Sequence, residues 1–218
     1  LAGDAVTDAQ HNTAIGYQAL TSDTQGDRSV AVGSNTLNSQ NGVNGNVYNT
    51  AVGYGAGQNV TSGVQNTLVG GLAGDALTDA DFNVAIGYNA LTSDTLGSRS
   101  VAIGRSALEV QNFTTSTDAY NVAVGMDAGA KVTTGVENTL IGGLAGDALN
   151  TGQQNVAVGT YALTTDTKGN KNVDVGRLAL ADQNFTTSTD SYNVGVGFAA
   201  GGDITTGVQN TIVGGLAG

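Results

Sequence analysis

Apolar β-branched residues recur along this chain two positions apart, with a small residue between them. Val84 and Ile86 flank Ala85, Val122 and Val124 flank Ala123, and Val156 and Val158 flank Ala157. Side chains of a strand alternate between its faces, so each triplet reads as a short strand with one β-branched face and one small face. The repeating unit is the hexapeptide Asn83–Tyr88. Its glycine returns at Gly16, Gly33, Gly53, Gly70, Gly87, Gly104, Gly125, Gly142, Gly159, Gly176, Gly197 and Gly214. Most steps are 17 residues, and one step in four is 20 or 21. This gives one repeat domain over 1–218, with three cycles at about 1–71, 72–143 and 144–215 and four coils in each. A fixed period of this kind predicts a solenoid or fibre. Helical periodicity is absent, so no helices are expected.

Taking each glycine as position 0, position −1 is always Ile or Val: Ile15, Val32, Val52, Val69, Ile86, Ile103, Val124, Ile141, Val158, Val175, Val196 and Val213. Position −3 is always Val or Thr. The two share a face that is expected to be the buried ladder of the sheet. Position −2 is mostly Ala, with Leu68, Leu140 and Ile212 in every fourth coil and Asp174 and Gly195 as exceptions. Small residues there imply close approach of another layer, a sister chain. Position −4 is Asn at Asn12, Asn49, Asn66, Asn83, Asn121, Asn138, Asn155, Asn172, Asn193 and Asn210, and Ser at Ser29 and Ser100. These are corner residues whose side chains can bond nearby backbone or their equivalents one coil away. After the glycine comes Gly-x-x-Ala closed by Leu or Gly, read as a second short strand, and then a polar turn.

The second coil of each cycle carries a long connection, at 41–48, 112–120 and 184–192. An insertion confined to one coil in four should protrude on one side, where repeat proteins often place their working face. Phe113, Tyr120, Phe185 and Tyr192 flank its Thr/Ser stretch. Aromatic rings beside hydroxyls suit stacking on sugars or gripping a protein partner. The plainer expectation is that they pin the connection back onto the roll. Asn59, Asn112 and Asn184 open glycosylation sequons, which Asn/Thr-rich sequence also produces by chance.

Composition narrows the function. Gly is 34 of 218 residues and Pro is absent, which excludes collagen. Hydrophobic residues are 39% and aromatics 5%, so a thin layered core of Val, Ile, Leu and Ala is expected. The net charge of −11 leaves no basic stripe for phosphates or anionic lipid and favours solubility of a long assembly. There is no Cys, and the lone His11 aligns with Phe82 in the next cycle, so no nucleophilic triad can be built and no enzyme is expected. Asp4, Asp75 and Asp147 recur after Leu-Ala-Gly or its equivalent, and Asp23, Asp94 and Asp166 recur in the polar turn. Around a threefold axis Asp75 and Asp147 are the candidates for Ca²⁺; otherwise all six are solvated turn residues and no cofactor is needed. No apolar run is long enough to span a membrane. The chain begins and ends in phase with its repeat, as expected of a segment of a longer fibre.

Among solenoids, the hexapeptide β-helix fails because six residues on from Ile86 stands Thr92, and the calcium nonapeptide pattern has only a distant echo at Gly70–Asp75. The stretches Asn12–Leu20 and Asn83–Leu91 resemble repeats of phage and bacterial tail-fibre proteins. Ser100–Gly104 resembles the YadA-like head repeats of trimeric autotransporter adhesins, although the coils here are longer. The resemblance implies a left-handed parallel β-roll with three chains around one axis, outside the cell or on a virion, acting as a spacer and attachment element. The residues themselves add a reason for a homotrimer: each short strand has two apolar faces, one for its own coil and one for sister chains. Twelve coils at the parallel-strand spacing would make a rod on the order of 60 Å. The alternatives are direct binding of a glycan or surface protein by the long connections, a self-assembling filament, and, least favoured, an ice- or mineral-binding array.

Overall fold

The structure is a computed structural model and describes residues 1–41 and 44–218. The chain is all-β, a parallel β-solenoid with no helix among the described residues. It divides into two compact units, residues 1–105 with 112–118, and residues 106–111 with 119–218. In the first unit, Thr13–Ile15, Val30–Val32, Thr50–Val52, Thr67–Val69, Val84–Ile86 and Val101–Ile103 pair in parallel, each hexapeptide in register with the next. The second unit repeats this with Val122–Val124, Thr139–Ile141, Val156–Val158, Val173–Val175, Val194–Val196 and Thr211–Val213.

Each strand is only three residues long because both its ends are turned. The residue before the corner has a left-handed backbone in every coil, from His11 at φ 61° to Gln209 at φ 58°. At the other end Gly87 sits at φ 136°, a region closed to side chains, and a Cβ there would lie 2.5 Å from the carbonyl oxygen of Gly104. Conformation and close approach of the next coil therefore demand glycine together.

The direction of the strand faces is the reverse of that expected from the sequence. Position −2 points into the coil: Ala31, Ala51, Ala85, Ala102, Ala123 and Ala157 are fully buried, as are Leu68 and Leu140. The β-branched −1 and −3 residues point outward, with Ile86 36% and Ile141 39% exposed, and with the remaining ladder residues half-buried or exposed. The reason is steric. A coil of 17 residues encloses so little width that only Ala, or a single Leu, fits on its inner face.

The segment after the glycine is also not a second strand. Ala90 and Leu91 are adjacent and both fully buried, which strand alternation forbids. Left-handed residues at Asn89 (φ 56°) and Leu91 (φ 55°) solve this by turning successive side chains inward. The short additional strands lie instead just before the corner, pairing Gly97–Ser98 with Thr117–Asp118, and Gly169–Asn170 with Thr189–Asp190.

The switch from Leu to Gly at the end of this module conserves core volume. The first two coils of a cycle place Leu there, as at Leu20, Leu37, Leu91 and Leu163. In the last two coils the glycine makes room for the Leu at −2. A Cβ on Gly57 or Gly74 would lie 2.7 Å from a methyl of Leu68, and one on Gly129 or Gly146 would lie 2.7 Å from a methyl of Leu140. Each fully buried Leu contributes about 1.5–3 kcal/mol of burial energy, so the core depends on this alternation.

Candidate functional site

Three features could carry function: the asparagine corner, the long connections, and the outward strand face. At the corner the asparagines form a buried column. Asn138 donates through Nδ2 to the Gly152 carbonyl at 2.9 Å, and its Oδ1 accepts the Asn155 backbone N–H at 3.1 Å and the Asn155 amide at 3.2 Å. Asn155 repeats this toward Gly169 and Asn172, and Asn49, Asn66 and Asn83 do so in the first unit. Asn12, Asn121, Asn193 and Asn210 take their places in the same pattern, and Ser29 donates its backbone N–H to Asn12 Oδ1 at 2.7 Å. From Asn49 to Asn193 these asparagines are buried and bond the neighbouring coil. The column holds coils together and presents nothing to a ligand.

The long connections begin on a second buried network. Asp166 Oδ1 accepts the backbone N–H of Gly169 and of Phe185, each at 3.0 Å, and its Oδ2 accepts the Gln183 amide at 2.6 Å. Gln183 in turn accepts from the Asn193 amide at 2.7 Å. Asp23, Gln40 and Asn49 repeat the chain in the first cycle. Asp94 likewise accepts from Gly97 and Phe113. Asp23, Asp94 and Asp166 are thus buried clamps and not solvated turn residues. Gln40, Gln111 and Gln183 each precede a long connection in the same place, and all three are buried, which was not anticipated from the sequence.

Phe113 and Phe185 are each only 6% exposed, so they anchor the connection and cannot stack on a ligand. Tyr120 and Tyr192 are about half exposed. Lys171 joins Asp190 at 2.6 Å and the Tyr192 hydroxyl at 3.2 Å, with its ammonium over the Tyr192 ring. Arg99 joins Asp118 at 2.9 Å, and Arg28 lies over Tyr48. The hydrogen bond to Asp190 holds Lys171 above its usual range and, reciprocally, holds Asp190 below its own. The pair is open to water, so it orders the tip more than it stabilises the fold. The first connection, 41–48, includes Gly42 and Val43, which lie outside the described residues.

Asp75 accepts a hydrogen bond from Thr92, and Asp147 accepts one from Thr164 at 2.5 Å. Partial burial raises the Asp75 carboxyl, with the Thr92 bond opposing. Among the described residues no three His, Cys, Asp or Glu side chains cluster as metal ligands.

The third feature is the outward strand face. Read across one coil, its positions are Phe82, Val84, Ile86 and Tyr88; in another they are Tyr192, Val194, Val196 and Phe198. Rings stand at both rims of a β-branched centre, with Tyr17, Tyr54 and Tyr88 more than half exposed. Tyr88 leans along the stack toward Gly71 of the coil before it, where an added Cβ would lie 3.4 Å away. The β-branched centre repeats in the coils of both units, while the rims vary, with Arg99 and Arg105 in one coil and Lys171 and Arg177 in another.

Two stretches of the chain match a known family. Residues 13–36 and 84–107 match the YadA head domain repeat. No curated protein and no solved structure matches the chain. Both YadA-head stretches begin at the first strand of a cycle and run past the second glycine, and so include the outward Ile15, Val32, Ile86 and Ile103. No helix among the described residues is long and apolar enough to cross a membrane.

Proposed function

We propose that the chain is a structural segment of an extracellular fibre, a shaft or head that assembles as a homotrimer and acts as a spacer and attachment element. The observation that carries this reading is the outward face, where every coil leaves β-branched −1 and −3 side chains partly uncovered. Contiguous apolar surface of this kind marks an interface. A second copy of the same chain fits it, because a neighbour with the same coil spacing meets every rung with an equivalent rung. The YadA-head stretches favour a cell-surface adhesin over a virion tail fibre. Three tips on one stem would add avidity to whatever the fibre touches.

The chain has no cysteine, which makes the test direct. An Ile86→Cys chain treated with a short thiol cross-linker should give cross-linked pairs, and a Thr115→Cys chain should stay single. Equal cross-linking at the two sites would contradict the assembly.

A second reading is favoured by the exposed trio of Lys171, Asp190 and Tyr192. It offers a ring face, a carboxylate and a cation to a glycan or surface protein. Shortening the connection at 185–191 should then abolish attachment to the host surface while the trimer persists. Attachment that survives the deletion would rule this role out.

A further inference from the structure

Asp174 occupies the inward −2 position of the tenth coil, between Ala157 and Gly195 of the flanking strands. It is fully buried, and neither carboxyl oxygen has a hydrogen-bond partner. The first two cycles place Ala31 and Ala102 at the same point.

The substitution does not stand alone. Around it the third cycle has Asn172 where the earlier cycles have Ser29 and Ser100, Ser191 where they have Val47 and Ala119, and Gly195 where they have Ala51 and Ala123. Ser191 and Asn172 satisfy one another, with the Ser191 hydroxyl 2.8 Å from Asn172 Oδ1. The Asn172 amide also donates to Asn155 Oδ1 at 3.1 Å. Gly195 is tightly placed, since a Cβ there would lie 3.0 Å from both the Ala200 carbonyl oxygen and Leu180. Of this polar set only Asp174 is left without a donor.

The charge that bears on Asp174 is another carboxylate, Asp166, from the polar stretch of the preceding coil. Donors hold both Asp166 oxygens: the Gly169 and Phe185 N–H groups and the Gln183 amide. The flanking strands contribute Ala157 and Gly195, neither of which titrates. A buried carboxylate with no donor, under the charge of a second carboxylate, is far costlier to ionise than one in water. As a neutral acid it costs far less.

We propose that the tenth coil is a proton-dependent element: Asp174 enters the core as a neutral acid, and its ionisation loosens this coil and its neighbours. Burial first, and the Asp166 carboxylate second, hold the Asp174 carboxyl well above its ordinary 3.8. Its value in the folded chain thus lies above that in the unfolded chain. The stabilising effect is complete below pH about 4 and is lost as pH rises toward the folded value. Over that window the opening equilibrium grows by about tenfold per pH unit. The trait belongs to the third cycle alone and would give an otherwise uniform solenoid one coil that tightens in acid.

The test uses the whole chain and two variants, Asp174→Ala, which restores the residue of the other cycles, and Asp174→Asn, which mimics the neutral acid. Unfolding would be followed in urea from pH 4 to pH 8. The parent should lose stability relative to Asp174→Ala as pH rises, and Asp174→Asn should not follow the parent. Carboxyl infrared spectra of parent minus Asp174→Asn at about pH 5, where an ordinary aspartate is ionised, should show a protonated carboxyl. Parallel pH profiles for parent and Asp174→Ala, or an ionised carboxylate in the difference spectrum, would overturn the proposal.

Discussion

Gly87 shows how one residue type is fixed by two independent demands. Its φ of 136° excludes a side chain, and the next coil's carbonyl occupies the space a Cβ would need. Gly87→Ala should therefore destabilise the chain by at least about 1–3 kcal/mol, read as a lower urea midpoint. At the corner, Asn138→Ala would strand the buried Gly152 carbonyl and the Asn155 N–H. Each stranded group costs about 1–3 kcal/mol, so this variant should be as damaging as the glycine change, and a neutral result would remove the column from the stability account. Both positions are legible in the sequence, because the glycine recurs at every coil and the asparagine at ten of the twelve corners. The orientation of the strand was not. Alternation separates Ala85 from Val84 and Ile86 without saying which side is inside, and β-branched residues suit either face. Only the narrowness of the closed coil decides it, and that is a property of the whole turn.

At the scale of elements, the long connection is an insertion clamped at its root, with its later half paired to the preceding coil. Asp166 gathers the N–H groups of Gly169 and Phe185 and the Gln183 amide, and Phe185 plugs the gap behind it. Asp166→Ala should release 184–192 and expose it to proteolysis well before the rest of the chain unfolds. Cleavage spread evenly over the chain would contradict a local clamp. The sequence shows where the insertion lies and that aromatic residues flank it. It could not show that Phe185 faces inward while Tyr192 faces out, because the two sit on opposite sides of a two-residue strand, Thr189–Asp190, whose pairing with Gly169–Asn170 is visible only in three dimensions. The move of Leu from the end of one module to position −2 of another was equally hidden. Its logic lies in Gly74 and Leu68 meeting inside the coil. Leu68→Ala should accordingly cost about 2–5 kcal/mol, since no neighbour can fill the space left above Gly57 and Gly74.

For the whole molecule, repetition makes stability a sum of coils and of contacts between adjacent coils. The parallel solenoid itself was readable from the glycine spacing, because nothing but a stacked coil explains a 17-residue period with one insertion in every fourth step. Its likeness to the YadA head repeat is confined to 13–36 and 84–107, yet the outward face continues in coils beyond those stretches. A chain with a net charge of −11 resists random association, so contact between copies has to come from that apolar face. Lysine at Ile86 and Ile141 together would place charge on the face in both units and should yield single chains that keep their β-sheet signal.

What the outward strand face meets decides whether this chain is a fibre module. Sedimentation equilibrium of the unmodified chain measures this directly. The expected result is a single folded species of three times the 21.6 kDa of one chain, persisting on dilution. A folded species of 21.6 kDa with its outward face in water would contradict the claim that this surface is built for sister chains.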